Sequence, residues 1–295
     1  MKNKALAALA AFSGLVTASG AYADKPVDWQ IDLQQAATPI MEEVRWFNHY
    51  TLWFVVPITL IVLILLIVVA IKFRAGANPV PSRTSHNTLI EVVWTVAPVV
   101  ILLFFAIPSF QLLTAQLTQP EKPDLTIKVT ATQWKWTYEY PAANGLSFDS
   151  VLLDNDKDRA ALGKEDLSKY PRLLAVDNEL VVPLNAVVRV IVTAEPSDVI
   201  HAFSMQSFGI KVDAVPGRMN ETWFKAEKEG LYYGQCSELC GKDHAFMPIA
   251  IRVVPDDKYK AWLAAAATDL PSAYKGLLAA VDAPKTVNVA NNDAK

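Results

Sequence analysis

Both cysteines of the chain lie in one short segment that also carries a histidine and a methionine. The segment GQCSELCGKDHAFMP, residues 234–248, contains Cys236, Cys240, His244 and Met247. Three kinds of site use such residues: a disulfide loop, a zinc site and a copper site. The choice between them depends on the rest of the sequence.

A disulfide between Cys236 and Cys240 is compatible with an oxidising compartment. It would close a very small loop, contribute little through chain entropy, and leave His244 and Met247 without a role. Zinc would use both cysteines with His244 and the distant His201, but methionine is not a usual zinc ligand. A methionine that only packs would still permit zinc, so both alternatives stay open.

Copper accounts for more of the segment, because thiolate, imidazole and thioether form the soft ligand set that copper prefers. A single electron-transfer copper uses two histidines, one cysteine and a weak axial methionine. His201, in the sequence VIHAF, would supply the distant histidine. The second cysteine is surplus to one copper ion, and it favours a binuclear centre because two thiolates can each bridge two metal ions.

The amino terminus has the pattern of a secretory signal. Lys2 and Lys4 precede an uncharged apolar stretch, and the small residues of AYA, residues 21–23, come directly before Asp24. The stretch is too short to span a bilayer. The sequence therefore predicts that residues 1–23 are removed as a signal peptide and that the mature chain begins outside the cytoplasm.

Two later runs are long enough to cross a membrane. Residues 52–71 and 92–113 carry no charge, and about 20 apolar residues span a hydrocarbon core as a helix. The loop 72–91 contains lysine and arginine but no acid before Glu91, which predicts that it faces the cytoplasm. Residues 24–51 and everything after the second helix then lie outside, in the periplasm of a Gram-negative bacterium.

Alternating apolar and polar residues replace these runs from about residue 125. Short strand candidates, such as 187–194 and 249–254, are separated by Pro, Gly, Asn and Asp, which is typical of an antiparallel sandwich or barrel. The polar segment 152–171 predicts a surface excursion, and residues 256–295 predict a terminal helix and a flexible tail. A net charge of −3 without a basic run gives no support to a nucleic-acid partner.

Four stretches of the sequence resemble subunit II of the haem–copper cytochrome c oxidases: VIHAF, DAVPGR, QWKWTYEYP and the cysteine segment. The likeness runs from about Asp28 to Val254. It implies a transmembrane two-helix hairpin followed by an all-β cupredoxin-like domain, residues 114–255. It also implies that the chain takes electrons from cytochrome c at a dinuclear copper centre, CuA. The resemblance implies that the electrons then pass from CuA to haem in subunit I, where oxygen is reduced to water and protons are translocated.

The resemblance also assigns the ligands of that centre. The two cysteines would bridge both copper ions, and one histidine would bind each ion. The loop glutamate would offer its carbonyl to copper and its side chain to a magnesium ion at the border with subunit I. No haem is implied on this chain, which contains no CxxCH. The implied copper ligands are His201, Cys236, Glu238, Cys240, His244 and Met247, and Glu238 is also implied for magnesium.

Further residues match the family by motif. Trp134 matches the tryptophan through which electrons enter from cytochrome c. Glu91 matches a glutamate at the entrance of the K proton channel, although a charge there also marks a helix end. Arg218 matches a loop near the haem propionates of subunit I. Four acids match positions that dock basic cytochrome c: Glu139, Asp149, Asp177 and Asp198.

Two other classes remain open on the sequence alone. A membrane-anchored copper-binding or copper-delivery protein would use similar ligands but would need neither Trp134 nor the four acids. A structural subunit with a Cys236–Cys240 disulfide would leave the other donors unused. The resemblance implies cytochrome c, oxidase subunit I and subunit III as partners, in the inner membrane of a bacterium.

Overall fold

The computed structural model describes residues 22–282, in which two long helices follow a short first strand. Helix α1 covers Pro39–Lys72 and helix α2 covers Thr88–Leu117. Both are long and apolar enough to cross a membrane, and most of their large apolar side chains are exposed in the isolated chain. The predicted two-helix hairpin is confirmed, and the chain is anchored in a membrane.

Polar caps set the starts of both helices. The Thr38 hydroxyl accepts a hydrogen bond from the Met41 N–H at the start of α1. The Asn87 side chain accepts from the Ile90 N–H, and the Glu91 carboxylate accepts in return from the Asn87 N–H. Both helices therefore begin before the apolar runs of the sequence, because caps rather than hydropathy decide where a helix starts.

The outer part of the chain consists of two sheets. The strands are β1 (Tyr22–Asp24), β2 (Leu125–Thr132), β3 (Lys135–Tyr140), β4 (Leu146–Ser150), β5 (Leu180–Pro183), β6 (Val187–Ala194), β7 (His201–Met205), β8 (Ile210–Ala214), β9 (Asn220–Lys225), β10 (Gly230–Cys236) and β11 (Pro248–Val254). One sheet has the order β5–β11–β10–β7–β8, with β1 also paired to β10, and the other has the order β4–β3–β2–β6–β9. This arrangement confirms the predicted cupredoxin-like sandwich, but its sheets are mixed and not purely antiparallel as expected, because β2 pairs parallel to β6 and β11 pairs parallel to β5.

The predicted signal peptide, residues 1–23, lies almost entirely outside the described residues. Its last two residues, Tyr22 and Ala23, belong to β1 together with Asp24, the first residue after the predicted cleavage point. Ala23 is opposite Leu231 of β10, and Asp24 is opposite Tyr232. The predicted cleavage point after Ala23 therefore falls inside a paired strand. Residues 283–295, the end of the predicted tail, also lie outside the described part.

Aromatic residues fill the core that the sheet containing β3 shares with the other sheet and with the terminal helices. Alternation along β3 turns Trp136, Tyr138 and Tyr140 inward, where all three are buried. Helix α4, Asp256–Ala266, brings Trp262 against Tyr140, with ring centres 5.6 Å apart. A further helix, α5, follows at Leu270–Asp282 and packs on α4.

The polar segment 152–171 lies largely at the surface, as its composition predicts, but four of its residues are buried: Leu153, Arg159, Lys164 and Tyr170. It contains helix α3, Asp156–Leu162, and after it Lys164, whose side chain is 1% exposed. The Lys164 ammonium lies 3.0 Å from the Glu179 carboxylate, and Arg252 donates to the same carboxylate at 3.0 Å. A buried ion cluster uses the same residue types as a solvated surface, so composition does not distinguish the two.

Replacing Glu179 by Gln should destabilise the β domain by about 3–5 kcal/mol at neutral pH, because two buried cations lose their partner. Burial raises the pKa of Glu179, but Arg252 and Lys164 outweigh burial and lower that pKa to about 2. The contribution of the carboxylate is therefore complete above its unfolded pKa of 4.5 and is lost as the pH falls toward 2.

Thermal unfolding of Glu179→Gln at several pH values measures this loss. The matched control is Glu165→Gln, because Glu165 is exposed on the same segment. Equal unfolding temperatures for the two variants at neutral pH would contradict a structural role for the buried cluster.

Candidate metal centre

Two strand ends and one loop meet at one end of the sandwich. His201 begins β7, Cys236 ends β10, and residues 237–247 lead from there into β11. Because β7 and β10 pair antiparallel, the start of one strand lies beside the end of the other. The Ser237 N–H donates to the Ala202 carbonyl at 3.1 Å and fixes the loop to β7. Residues distant in the sequence are thereby brought together.

One half of the site forms around Cys236. Its sulfur lies 3.8 Å from the sulfur of Cys240. It also lies 3.9 Å from Nδ1 of His201 and 3.4 Å from the backbone carbonyl oxygen of Glu238. His201 is fully buried, whereas the Glu238 side chain is exposed and only its carbonyl faces the sulfur.

The other half forms around Cys240. Its sulfur lies 3.4 Å from Nδ1 of His244 and 3.5 Å from Sδ of Met247. The fold thus brings all six predicted copper ligands together. Each half offers one thiol, one imidazole nitrogen and one weaker donor.

The two thiols are not joined in a disulfide in this structure. Their sulfurs lie 3.8 Å apart, whereas a disulfide bond requires about 2.05 Å. Ligand atoms of His201, Cys236 and Cys240 all lie within 4.8 Å of one another, and all three residues are buried. Two thiolates, two imidazoles and a thioether match the preference of copper, whereas zinc would leave Met247 without a role. The residues present therefore fit a copper centre.

Burial acts on the histidine and cysteine ligands in opposite ways, because it keeps His201 neutral but disfavours the thiolate of Cys240. It lowers the pKa of His201, and nearby His244 lowers it further, while Asp198 opposes the change. The His201 imidazole is therefore neutral and able to bind metal near pH 7. Burial also raises the pKa of Cys240 to about 12, and the neighbouring Cys236 adds to the shift. Metal binding must then displace a proton from Cys240, so affinity falls at lower pH.

The turn between β2 and β3 supports the loop from outside. Gln133 Nε2 and Trp134 Nε1 both donate to the Cys240 carbonyl, at 2.9 and 3.1 Å. Gly241 has φ +121°, and a Cβ there would lie 2.9 Å from the Trp134 ring. The ammonium of Lys242 lies 5.6 Å from the centre of the same ring. Sequence reasoning missed Gln133, Gly241 and Lys242, although a glycine directly after a ligand was a usable signal.

Trp136 supports the site from within the sandwich. Its Nε1 donates to the Met247 carbonyl at 3.2 Å. Its ring meets the His201 ring edge-on, with centres 6.3 Å apart. The two tryptophans of QWKWTYEYP therefore contact the site from opposite sides.

Two of the four predicted docking acids are engaged within the protein. Asp198 is 9% exposed, accepts from the Gln133 N–H at 2.8 Å, and has its other oxygen 3.5 Å from Nε2 of His201. Asp177 is half-buried and accepts from the Val151 N–H at 2.8 Å. Both carboxylates hold local backbone in place.

The other two acids face outward but are paired. Glu139 lies 2.8 Å from the Lys128 ammonium, and Asp149 lies 2.5 Å from that of Lys135. Hydrogen bonds from Lys135 and Thr137 outweigh the effect of burial and lower the pKa of Asp149. The acids therefore carry much less net charge into the surrounding solvent than their number suggests.

The remaining predicted residues lie apart from the thiols. Glu91 is in the first turn of α2, where it accepts from the Asn87 N–H at 3.1 Å. Arg218 is exposed in the loop that joins β8 to β9.

Replacing Gly241 by Ala should push the Trp134 ring off the loop, because the new Cβ would lie 2.9 Å from the ring. Gly145→Ala is the matched control, since Gly145 also has positive φ but meets nothing within 4 Å. Both variants should lose about 1 kcal/mol or more of unfolding free energy, because alanine is strained at a positive φ. Only Gly241→Ala should alter tryptophan fluorescence and lower the unfolding temperature further, and identical behaviour of the two would refute the contact.

Two family models match the chain. "Cytochrome C oxidase subunit II, transmembrane domain" matches residues 26–112, and "Cytochrome C oxidase subunit II, periplasmic domain" matches residues 125–254. Together they include the hairpin and the whole site.

Named relatives agree with these matches. The probable cytochrome c oxidase subunit 2 of Rickettsia bellii is 50% identical over 252 residues, 85% of this chain and 90% of the relative. Cytochrome c oxidase subunit 2 of Triticum aestivum is 43% identical over 248 residues, 82% of this chain and 92% of the relative. A crystal structure of the periplasmic domain of subunit II of cytochrome oxidase from Bradyrhizobium japonicum is 56% identical. The match covers 50% of this chain and 95% of the crystallised domain, with a TM-score of 0.43.

Proposed function

This chain belongs to the cytochrome c oxidase subunit II family, and we propose that it takes electrons one at a time from cytochrome c and passes them to haem in subunit I. It acts as part of the oxidase complex, which reduces oxygen to water and translocates protons. Oxygen reduction resides in subunit I, so this chain contributes the electron-transfer step.

The observation that carries the proposal is the paired donor set. The sulfurs of Cys236 and Cys240 lie 3.8 Å apart, close enough that both thiolates would serve one metal centre, and His201 and His244 each lie beside a different sulfur. We propose His201, Cys236, the Glu238 carbonyl, Cys240, His244 and Met247 as the ligands of a dinuclear copper centre. Bound there, copper supplies one-electron redox chemistry.

The protein residues keep this site rigid and dry. His201, Cys240 and Met247 are at most 1% exposed and Cys236 is 6% exposed, so little water reaches these donors, whereas His244 is partly exposed. Hydrogen bonds to the Cys240 and Met247 carbonyls fix the loop from both sides. A site that does not rearrange between redox states allows rapid transfer, and exclusion of solvent helps to set its potential.

Trp134 is the residue through which we propose that electrons enter. It is half-buried, so part of the indole reaches the surface, while its Nε1 donates to a ligand carbonyl. One side chain thus joins the outside of the domain to the donor set. A copper-delivery protein, the alternative function, would have no use for this connection.

Docking of cytochrome c rests on fewer charges than the motif implied. Glu139 and Asp149 remain candidates for contact with a basic carrier, although each also has a lysine partner. Asp177 and Asp198 contribute mainly through the backbone and His201 contacts that they make. We therefore expect the association to weaken with salt less steeply than four free acids would produce.

Further assignments follow from the family. The exposed Glu238 side chain is proposed to bind magnesium at the border with subunit I, and Glu91 to lie at the entrance of the K proton channel. Arg218 is proposed to face subunit I near the haem propionates. Subunit III is a further proposed partner. The basic loop 72–91 supports insertion in a bacterial inner membrane with the β domain in the periplasm.

Replacing Trp134 by Phe should slow electron transfer from reduced cytochrome c by at least about tenfold, which a barrier increase of only 1.4 kcal/mol would produce. The indole N–H link to Cys240 is lost while most of the apolar contact remains. Stopped-flow oxidation of cytochrome c by the assembled oxidase measures the rate. Trp94→Phe, on exposed helix α2, is the control. Unchanged rates in Trp134→Phe would refute this route.

A further inference from the structure

The two most exposed large apolar side chains that the structure describes lie in one short loop ahead of α1. Trp29 is 96% exposed and Ile31 is completely exposed. Val27 and Leu33 in the same loop are also exposed. Large aromatic and aliphatic side chains in water are unfavourable unless something covers them.

The loop presents Trp29 through an unfavourable backbone conformation. The Gln30 N–H donates to the Val27 carbonyl at 3.2 Å and closes a turn in which Trp29 has φ +61°. This left-handed region is rarely adopted by bulky residues. Such conformations persist where the surrounding structure imposes them, and they often accompany function.

Contacts on both sides hold the loop in position. Before it, the Lys25 ammonium donates to the Ser168 carbonyl of the β domain at 2.9 Å. After it, the Asp32 carboxylate lies 3.1 Å from Nη2 of Arg45 and 3.6 Å from Nε2 of His49, both on α1. The loop therefore bridges the β domain and the outer part of a membrane helix.

The contacts with α1 also set the height of the loop above the membrane. The apolar run of α1 begins at Leu52. Along the helix axis, His49 lies about 4.5 Å outside Leu52 and Arg45 lies about 10 Å outside Leu52. The headgroup layer on each side of a bilayer is roughly 5–8 Å thick. Asp32, which contacts both side chains, therefore lies at the level of the outer headgroups. Trp46, exposed on α1, marks the same level.

We propose that residues 27–33 form an interfacial anchor, in which Trp29 and Ile31 insert into the outer headgroup layer of the bilayer. Tryptophan favours this layer because its ring is apolar and its N–H still finds polar partners. No lysine or arginine lies between Lys25 and Arg45. The anchor therefore binds the apolar boundary itself and does not select anionic lipids. It ties the edge of the β domain to the membrane, independently of the metal centre.

Lipid photolabelling of the assembled complex tests this anchor directly. The complex is reconstituted in phosphatidylcholine vesicles whose acyl chains carry a diazirine near the glycerol, irradiated, and mapped by mass spectrometry. Wild-type chains should carry lipid adducts on residues 27–33. Adducts on this loop should fall at least about fivefold in Trp29→Ser/Ile31→Ser, which removes its most exposed apolar groups. Leu167→Ser, at an exposed leucine of the β domain, should leave them unchanged.

Thiol accessibility distinguishes lipid from the other possible covers. Ile31→Cys should react with a water-soluble maleimide at least about tenfold more slowly in vesicles than Leu167→Cys, because the bilayer excludes the reagent. The unsubstituted chain gives the background from the two native thiols, which are buried. Equal rates would place the loop in water, and slow reaction without lipid adducts would place it against a protein subunit. Either result would overturn the proposal.

Discussion

Two sulfur atoms that belong to one loop lie 3.8 Å apart, and the rest of the site depends on that approach. Once ionised they repel, and the raised pKa of Cys240 reflects this cost together with burial. The backbone has to hold them without help from a covalent bond. It does so because β10 ends at Cys236 and β11 begins directly after Met247, so the paired strands clamp both ends of the loop.

The surrounding aromatic and polar residues extend this constraint outward. Trp136 holds the Met247 carbonyl from the core, while Gln133 and Trp134 hold the Cys240 carbonyl from the surface. Asp198 joins the same turn to His201. A carboxylate with these contacts is poorly placed to attract a distant carrier. Asp198, which the motif linked to docking, therefore serves the rigidity of the site.

The sequence predicted those features that depend on local patterns. Uncharged runs predicted the hairpin, alternation predicted the sandwich, and the spacing of Cys236 to Met247 placed most donors in one loop. Apart from the placement of His201 beside the cysteine loop, features that depend on contacts between distant segments were not predicted. The polar composition around Lys164 gives no sign that its side chain is buried, because its partner Glu179 is fifteen residues away. Likewise, the clearance that Gly241 gives Trp134 exists only once β2, β3 and the loop have met.

The electron paramagnetic resonance spectrum of the copper-loaded full-length chain, with copper counted per chain, tests the central claim most directly. The paired donor set predicts two copper ions per chain and hyperfine structure from one electron shared equally by both nuclei. A single copper with a localised electron would contradict the account. So would a stable Cys236–Cys240 disulfide that excludes metal.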